Sequence, residues 1–154
     1  MVDRADTATV DDSERTLVIE RVFKASPERV FRAWTDPAVL VTWWGPEGFT
    51  TPEFAFDLRT GGAWHTVMRS PDGTPHPVSG IYRAIDPPKR LVITWAWEED
   101  GKRGHETEIE VTFVAIESGT RMRLVQRLFQ SPAVRDRHQD GWRRSFDKLE
   151  RLFL

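Results

Sequence analysis

The stretch SPAVRDRHQDGWRRSFDKLERLFL, residues 131–154, decides how this chain is read. Ser131 can cap a helix with its hydroxyl, and Pro132 fits the first helical position, where no amide hydrogen is needed. No proline follows, and Trp142, Phe146, Leu149 and Phe153 recur at offsets of four, three and four, which is one helical face. Gly141 leaves room for the helix to approach whatever it packs on. Residues 135–140 are nearly all polar or charged, so the first half of the helix should overhang an opening. The gripped part is then 142–153, with the mouth of any cavity near His138 and Trp142. A helix of this length spans about 30 Å, enough to cross a small domain. It reads as a lid on a chain that is otherwise mostly strands.

Composition narrows what lies beneath the lid. A chain of 154 residues has room for one core and one domain. The net charge of −2, with both signs interspersed, offers no basic footprint for nucleic acid. Cysteine is absent, which excludes disulfides and thiolate chemistry and favours a cytoplasmic setting. Residues 1–15 are polar and acidic with no apolar run, and read as a flexible tail, neither signal peptide nor membrane segment. The domain is expected over 16–154, with no membrane insertion. Seven tryptophans against one tyrosine imply a bulky interior or a lined pocket.

Upstream of the lid the periodicity is mainly that of strands. Residues 16–24 form a first strand with Leu17, Ile19 and Phe23 on one face and Arg21 interrupting it. Ser26-Pro27-Glu28 and Asp36-Pro37 each signal a short helix, and Gly45-Pro46 stops the second. From Glu53 the pattern alternates, with Phe54, Phe56 and Leu58 on one side, and Gly61-Gly62 turns the chain. Strands follow at 63–69, 78–85, 91–97, 106–116 and 120–129, separated by Pro71-Asp72-Gly73, Asp86-Pro87-Pro88, Asp100-Gly101 and Ser118-Gly119. Trp64, Thr66 and Met68 are assigned inward, as are Ile93, Trp95 and Trp97. Thr107, Ile109, Val111 and Phe113 face the interior, and so do Met122, Leu124, Gln126 and Leu128. Glu106, Glu108 and Glu110 face water, opposite the outward Arg121, Arg123 and Arg127. The fold class is α+β: a strongly curved antiparallel sheet of about seven strands around a long C-terminal helix, with two short helices between the first and second strands.

These residues also resemble a family. SPERVF at 26–31, WWGP at 43–46, DLRTGG at 57–62, GIY at 80–82, DPPKRLV at 86–92 and HQDGW at 138–142 are similar to the successive motifs of the START-like (SRPBCC) superfamily. The branch is the one similar to the C-terminal domain of the activator of heat-shock-protein-90 ATPase. The resemblance runs from about residue 16 to 154. It implies the helix-grip fold, a seven-stranded antiparallel sheet gripping the C-terminal helix with a hydrophobic cavity between them. Its members include lipid carriers, polyketide cyclases and aromatases, and co-chaperone domains, so fold alone does not select a function. A homodimer through sheet or helix surfaces, and a chaperone partner, are expectations at the level of the family.

The candidate ligand-binding residues are therefore drawn from the inward faces. The aromatic ones are Trp44, Phe54, Phe56, Trp64, Tyr82, Trp95, Trp97, Trp142 and Phe146, with Phe113 beside them. Met68, Ile109, Val111 and Met122 add apolar surface. Thr66, Thr107 and Gln126 are buried polar groups that either pair with one another or await a ligand. His138, one turn before Trp142, is placed to reach the mouth, either as a general base or as a half-exposed helix residue. His65, His76, His105 and His138 lack metal-ligand spacing, and no phosphate loop, nucleophile elbow or dinucleotide fingerprint occurs. No catalytic residue, metal or cofactor is assigned. The expected function is binding of a hydrophobic, flat or aromatic small molecule under the final helix. A cyclase or aromatase using the same cavity, and a co-chaperone-like interaction domain, are the alternatives.

Overall fold

β1 (Leu17–Phe23) puts Leu17, Ile19 and Phe23 into the core, as their spacing requires. A computed structural model describes residues 12–154. Two helices follow: α1 (Pro27–Thr35), whose N-cap Ser26 accepts from the Arg29 amide, and α2 (Pro37–Trp43), whose N-cap Asp36 accepts from Ala38. Both start on a proline at the position where a missing amide hydrogen costs nothing. The remaining strands are β2 (Thr50–Phe56), β3 (Ala63–Arg69), β4 (Pro75–Asp86), β5 (Arg90–Glu99), the two-residue β6 (Lys102–Arg103), β7 (Thr107–Ile116) and β8 (Gly119–Arg127). α3 (Pro132–Arg151) closes the chain, capped by Ser131 on the Val134 amide.

The sheet is antiparallel in the order β1-β8-β7-β5-β4-β3-β2, with β6 paired to β5 off that path. Long hairpins account for β3 to β5 and for β7 with β8, while β1 returns to pair with β8. The concave face carries α1, α2 and α3, and the core lies between. This is the helix-grip arrangement that the sequence motifs imply.

Two cations clasp the lid. Arg21, on the inner face of β1, reaches Asp147 at 2.9 Å and Glu150 at 3.1 Å and donates to the Arg143 carbonyl. Its interruption of an apolar face is thus a tie between sheet and helix. Lys148 donates to the carbonyls of Gly45, Pro46 and Phe49, holding the loop after α2 against α3. Burial lowers the pKa of its ammonium. On the convex face Arg127 bridges Glu108 and Glu110, the cross-strand pairing expected from alternation.

Four expectations need correction. Strand 53–59 is displaced: β2 begins at Thr50 and ends at Phe56, leaving Leu58 exposed in the loop. Leu128 is 60% exposed with φ 77°, because β8 ends at Arg127 and the chain twists to bury Phe129 instead. The tail expected over 1–15 is ordered at its end, where Asp12–Arg15 forms a 3₁₀ turn. That turn is tied to α3 by Arg135 on the Ser13 carbonyl, and the rest of the tail lies outside the described residues. Gly141 is not needed for close approach, since a Cβ there would meet only Pro46, at 3.8 Å.

Gly80 is the glycine on which the packing insists. It lies opposite Trp64, whose indole donates to the Thr94 carbonyl across it. A Cβ would stand 1.8 Å from that carbonyl oxygen and 2.6 Å from the Trp64 nitrogen. Gly80→Ala is expected to destabilise the domain by about 2 kcal/mol or more, read as a lower urea midpoint with an unchanged m-value.

Candidate functional site

The site follows from where α3 lies. β5 points Trp95 and Trp97 to the concave face, β3 points Met68 there, and α3 lowers Trp142 onto them. The indole of Trp142 is 5.3 Å from Trp95 and 5.6 Å from Trp44 between ring centroids. Above these rings a hollow of about 520 Å³ remains, walled by Trp44, Trp95, Trp97, Trp142, Met68 and Phe49. Its rim is made by Gly45, Pro46, His76, Val134, Arg137, His138, Gly141 and Ser145. A second hollow of about 390 Å³ lies beside it and shares Trp95, Trp97, Val134, Arg137 and His138.

The shared wall contains a hydrogen bond that fixes a tautomer. Trp97 Nε1 donates to His138 Nε2 at 2.8 Å, so that nitrogen must be unprotonated. The Nδ1–H then donates to the Val134 carbonyl at 2.9 Å. Burial holds the His138 pKa below the ordinary histidine value, against the Val134 bond, and the Arg137 charge adds to the lowering. Both nitrogens are engaged. The imidazole is a neutral strut, and proton abstraction by Nε2 would require breaking its bond to Trp97.

The buried polar groups of the concave face satisfy one another. Gln126 is fully buried, donates to Thr107 Oγ1 at 2.8 Å and accepts from Trp142 Nε1 at 2.8 Å. Thr66 Oγ1 accepts from Trp44 Nε1 at 3.0 Å. Trp95 Nε1 is the exception, buried with no acceptor.

Of the residues expected at the site, Trp44, Met68, Trp95, Trp97, His138 and Trp142 line the first hollow together. Thr66 and Gln126 stand behind them as hydrogen-bond partners of two of the indoles. Trp64 packs on Trp44 and Trp95 without lining the hollow. Ile109, Val111, Met122 and Phe146 are fully buried in the core and line neither hollow. Phe113 packs there too, against Phe31. Tyr82 is buried near Gly61 and Gly62, its phenol pKa raised by burial and by the Asp57 charge. Phe54 and Phe56 do not reach the hollow. They lie opposite Thr66 and Trp64, yet β2 is the edge strand, and Pro52, Glu53, Phe54 and Ala55 are all exposed. Phe54, at 43% exposure, packs on Phe56 alone among the rings.

Two signals would have found the residues missed. Val134, Arg137, Gly141 and Ser145 recur at offsets of three, four and four, a second helical stripe beside the apolar one. His76 pairs with Met68 across β3 and β4, so the two share a face once β4 is started at Pro75. Among the described residues no cluster of three metal-ligating side chains occurs, and no helix is long and apolar enough to cross a membrane.

Comparison with known proteins now adds identity to geometry. The family described as Activator of Hsp90 ATPase homolog 1-like protein matches residues 24–153, and the chain belongs to it. Among solved structures, an AHSA1 protein from Silicibacter pomeroyi is 34% identical, with a TM-score of 0.80 over 88% of this chain and 94% of that one. Proteins from Chromobacterium violaceum and Nitrosomonas europaea are each 28% identical, with TM-scores of 0.81 and 0.79. The first alignment covers 90% of this chain and 96% of its counterpart, the second 92% and 96%. Comparison with curated proteins gives no match.

Two outcomes are expected. Above pH ~6.5 His138 is neutral in both folded and unfolded chains and adds no pH dependence. Below it the unfolded chain binds the proton first, so stability falls, by at most about 1.4 kcal/mol per pH unit from this group, until the folded-state pKa is passed. Urea unfolding at pH 5.0 and 7.5 should show this component lost in His138→Gln. Trp142→Ala is expected to cost about 3–5 kcal/mol, because it opens a cavity and strands the Gln126 carbonyl. Denaturant unfolding measures it.

Proposed function

We propose that this member of the family binds a flat, apolar small molecule in the hollow between the sheet and the C-terminal helix. The observation that carries the reading is the roughly 520 Å³ left open above Trp44, Trp95, Trp97 and Trp142. That volume is in the range of about 300–1,000 Å³ usual for small-molecule sites. Four indoles there offer stacking and edge contacts worth about 0.5–1.5 kcal/mol per aromatic pair beyond area burial. The neighbouring core is filled, with Phe23, Trp43 and Phe146 inaccessible. An unfilled volume with so much aromatic wall leaves dispersion contacts unmade, which a flat guest restores.

The direct experiment is native mass spectrometry of the protein purified from its own host, followed by solvent extraction. A co-purifying apolar molecule at near-stoichiometric amount is expected; its absence under gentle conditions speaks against the reading. Gly141→Leu supplies the internal control. The added side chain starts in ordinary contact with Pro46 at the rim, with no clash, so the fold should survive, with a helix-propensity gain of up to about 1 kcal/mol over glycine. Affinity should fall at least about tenfold, a loss of about 1.4 kcal/mol, and the co-purifying amount should fall with it. Unchanged occupancy would place the molecule elsewhere.

A further inference from the structure

The walls of the hollow are apolar or uncharged except at one point. Apart from the imidazoles of His76 and His138, Arg137 is the sole titratable side chain lining it. Arg137 is exposed at the rim, and among the described residues it has no ion-pair partner.

That isolation is a property of the helix. Each carboxylate of α3 is engaged by another cation: Asp136 by Arg135 at 2.9 Å, Asp140 by Arg144 at 3.2 Å, and Asp147 and Glu150 by Arg21. The other cations facing the loop are engaged as well. Lys148 donates to three carbonyls, and Arg151 pairs with Glu47 at 2.7 Å. Arg143 has no ion pair among the described residues, but it lines neither hollow. Arg137 therefore holds an unneutralised guanidinium over an aromatic pit. The second hollow adds Glu99 to its wall and so presents both signs, whereas the first presents only the positive one.

We infer that the guest is an amphiphilic monoanion: a flat apolar body in the hollow and one carboxylate-type group at the mouth, received by Arg137. This rests on the binding reading above and names its ligand class. A guanidinium presents a planar fork that matches the two oxygens of a carboxylate. One cation, with no second one in the wall, suits a single negative charge better than a doubly ionised phosphate. The apolar body gains from the four indoles, while the charged group keeps contact with water and avoids the desolvation that a buried charge would suffer. Amphiphile orientation follows: ring inward, anion outward beside α3.

The test uses two probes of one shape, 2-naphthoate and 2-naphthalenemethanol, titrated by calorimetry into the full-length protein at low salt. Wild type is expected to bind the acid about five- to tenfold more tightly than the alcohol. Arg137→Gln should remove that advantage, so that acid and alcohol bind the variant alike. Arg143→Gln, which makes the same change in net charge on the same helix, should leave both affinities as they were. If the alcohol binds but the acid gains nothing, or Arg143→Gln weakens the acid as much as Arg137→Gln does, the anion inference is overturned and the cavity reading stands. If neither probe binds, both fall. Arg137 is exposed and unpaired, so its replacement leaves folding intact, and a matching urea midpoint verifies this.

Discussion

The grip depends on one buried hydrogen bond, from the Trp142 indole to the Gln126 carbonyl oxygen at 2.8 Å. Gln126 is fully buried on β8, and its amide nitrogen is spent on Thr107 of β7. The pair therefore joins the helix to two adjacent strands at a point where water cannot substitute. An apolar ridge alone would let α3 slide or rotate by a fraction of a turn at little cost. A buried donor and acceptor do not, because leaving either unpaired costs about 1–3 kcal/mol. Fixing the azimuth of Trp142 also fixes His138 one turn earlier and Arg137 beside it. The chemistry of the mouth is set by a bond in the core.

The tryptophans share one problem and solve it in different ways. An indole brings a large apolar surface and one N–H that must be satisfied when buried. Trp43 and Trp64 use backbone carbonyls of Ala33 and Thr94, and Trp34 uses the sulfur of Met122. Trp44, Trp97 and Trp142 use side chains of Thr66, His138 and Gln126. The second group lines the hollow, and the first does not. Side-chain acceptors fix the position of each of these three indoles at the wall. Trp95 lies at the centre of the ring cluster, within 5.8 Å of Trp44, Trp64, Trp97 and Trp142, and its N–H has no acceptor among the described residues.

Much of this was legible from residue patterns, for reasons that also mark the limit. The caps at Ser26, Asp36 and Ser131 are local chemistry, so α1, α2 and α3 start where the sequence places them. Alternation located the inward faces of β3 and β7, where the face away from the helices is the wetter one, whereas β5 is buried on both faces from Leu91 to Ala96. It failed at β2, where an edge strand runs beyond the helices and Phe54 meets water on the face that elsewhere is core. It failed again at Leu128, where a left-handed backbone residue inverts the pattern. For the site, the sequence names which residues face inward but not how far the helix extends over them. Phe146 and Met122 are as inward as Trp97, yet only Trp97 borders open space. That difference is set by how the elements pack on one another, a tertiary quantity with no local signature.

The two halves of α3 divide the labour. Beyond Gly141 the helix is fastened: Trp142 to Gln126, Phe146 and Leu149 into the core, and Asp147 and Glu150 to Arg21. Before it, Val134, Arg137 and His138 roof the hollow, and the main bond to the sheet is Trp97 to His138. Lys148 belongs to the fastened half but acts on the other, because its three carbonyl bonds hold Gly45, Pro46 and Phe49 as the far wall. Its ammonium has traded solvent for backbone oxygens, with desolvation outweighing the pull of Glu47 on its pKa. The hollow thus stands between a wall fixed by the stable half and a roof tied by His138 to Trp97 and by Arg135 to the Ser13 carbonyl. Any motion that admits a guest is expected at the roof, because opening there breaks the bonds to Trp97 and to the Ser13 carbonyl, whereas opening the wall breaks three bonds from Lys148 and the Arg151–Glu47 pair.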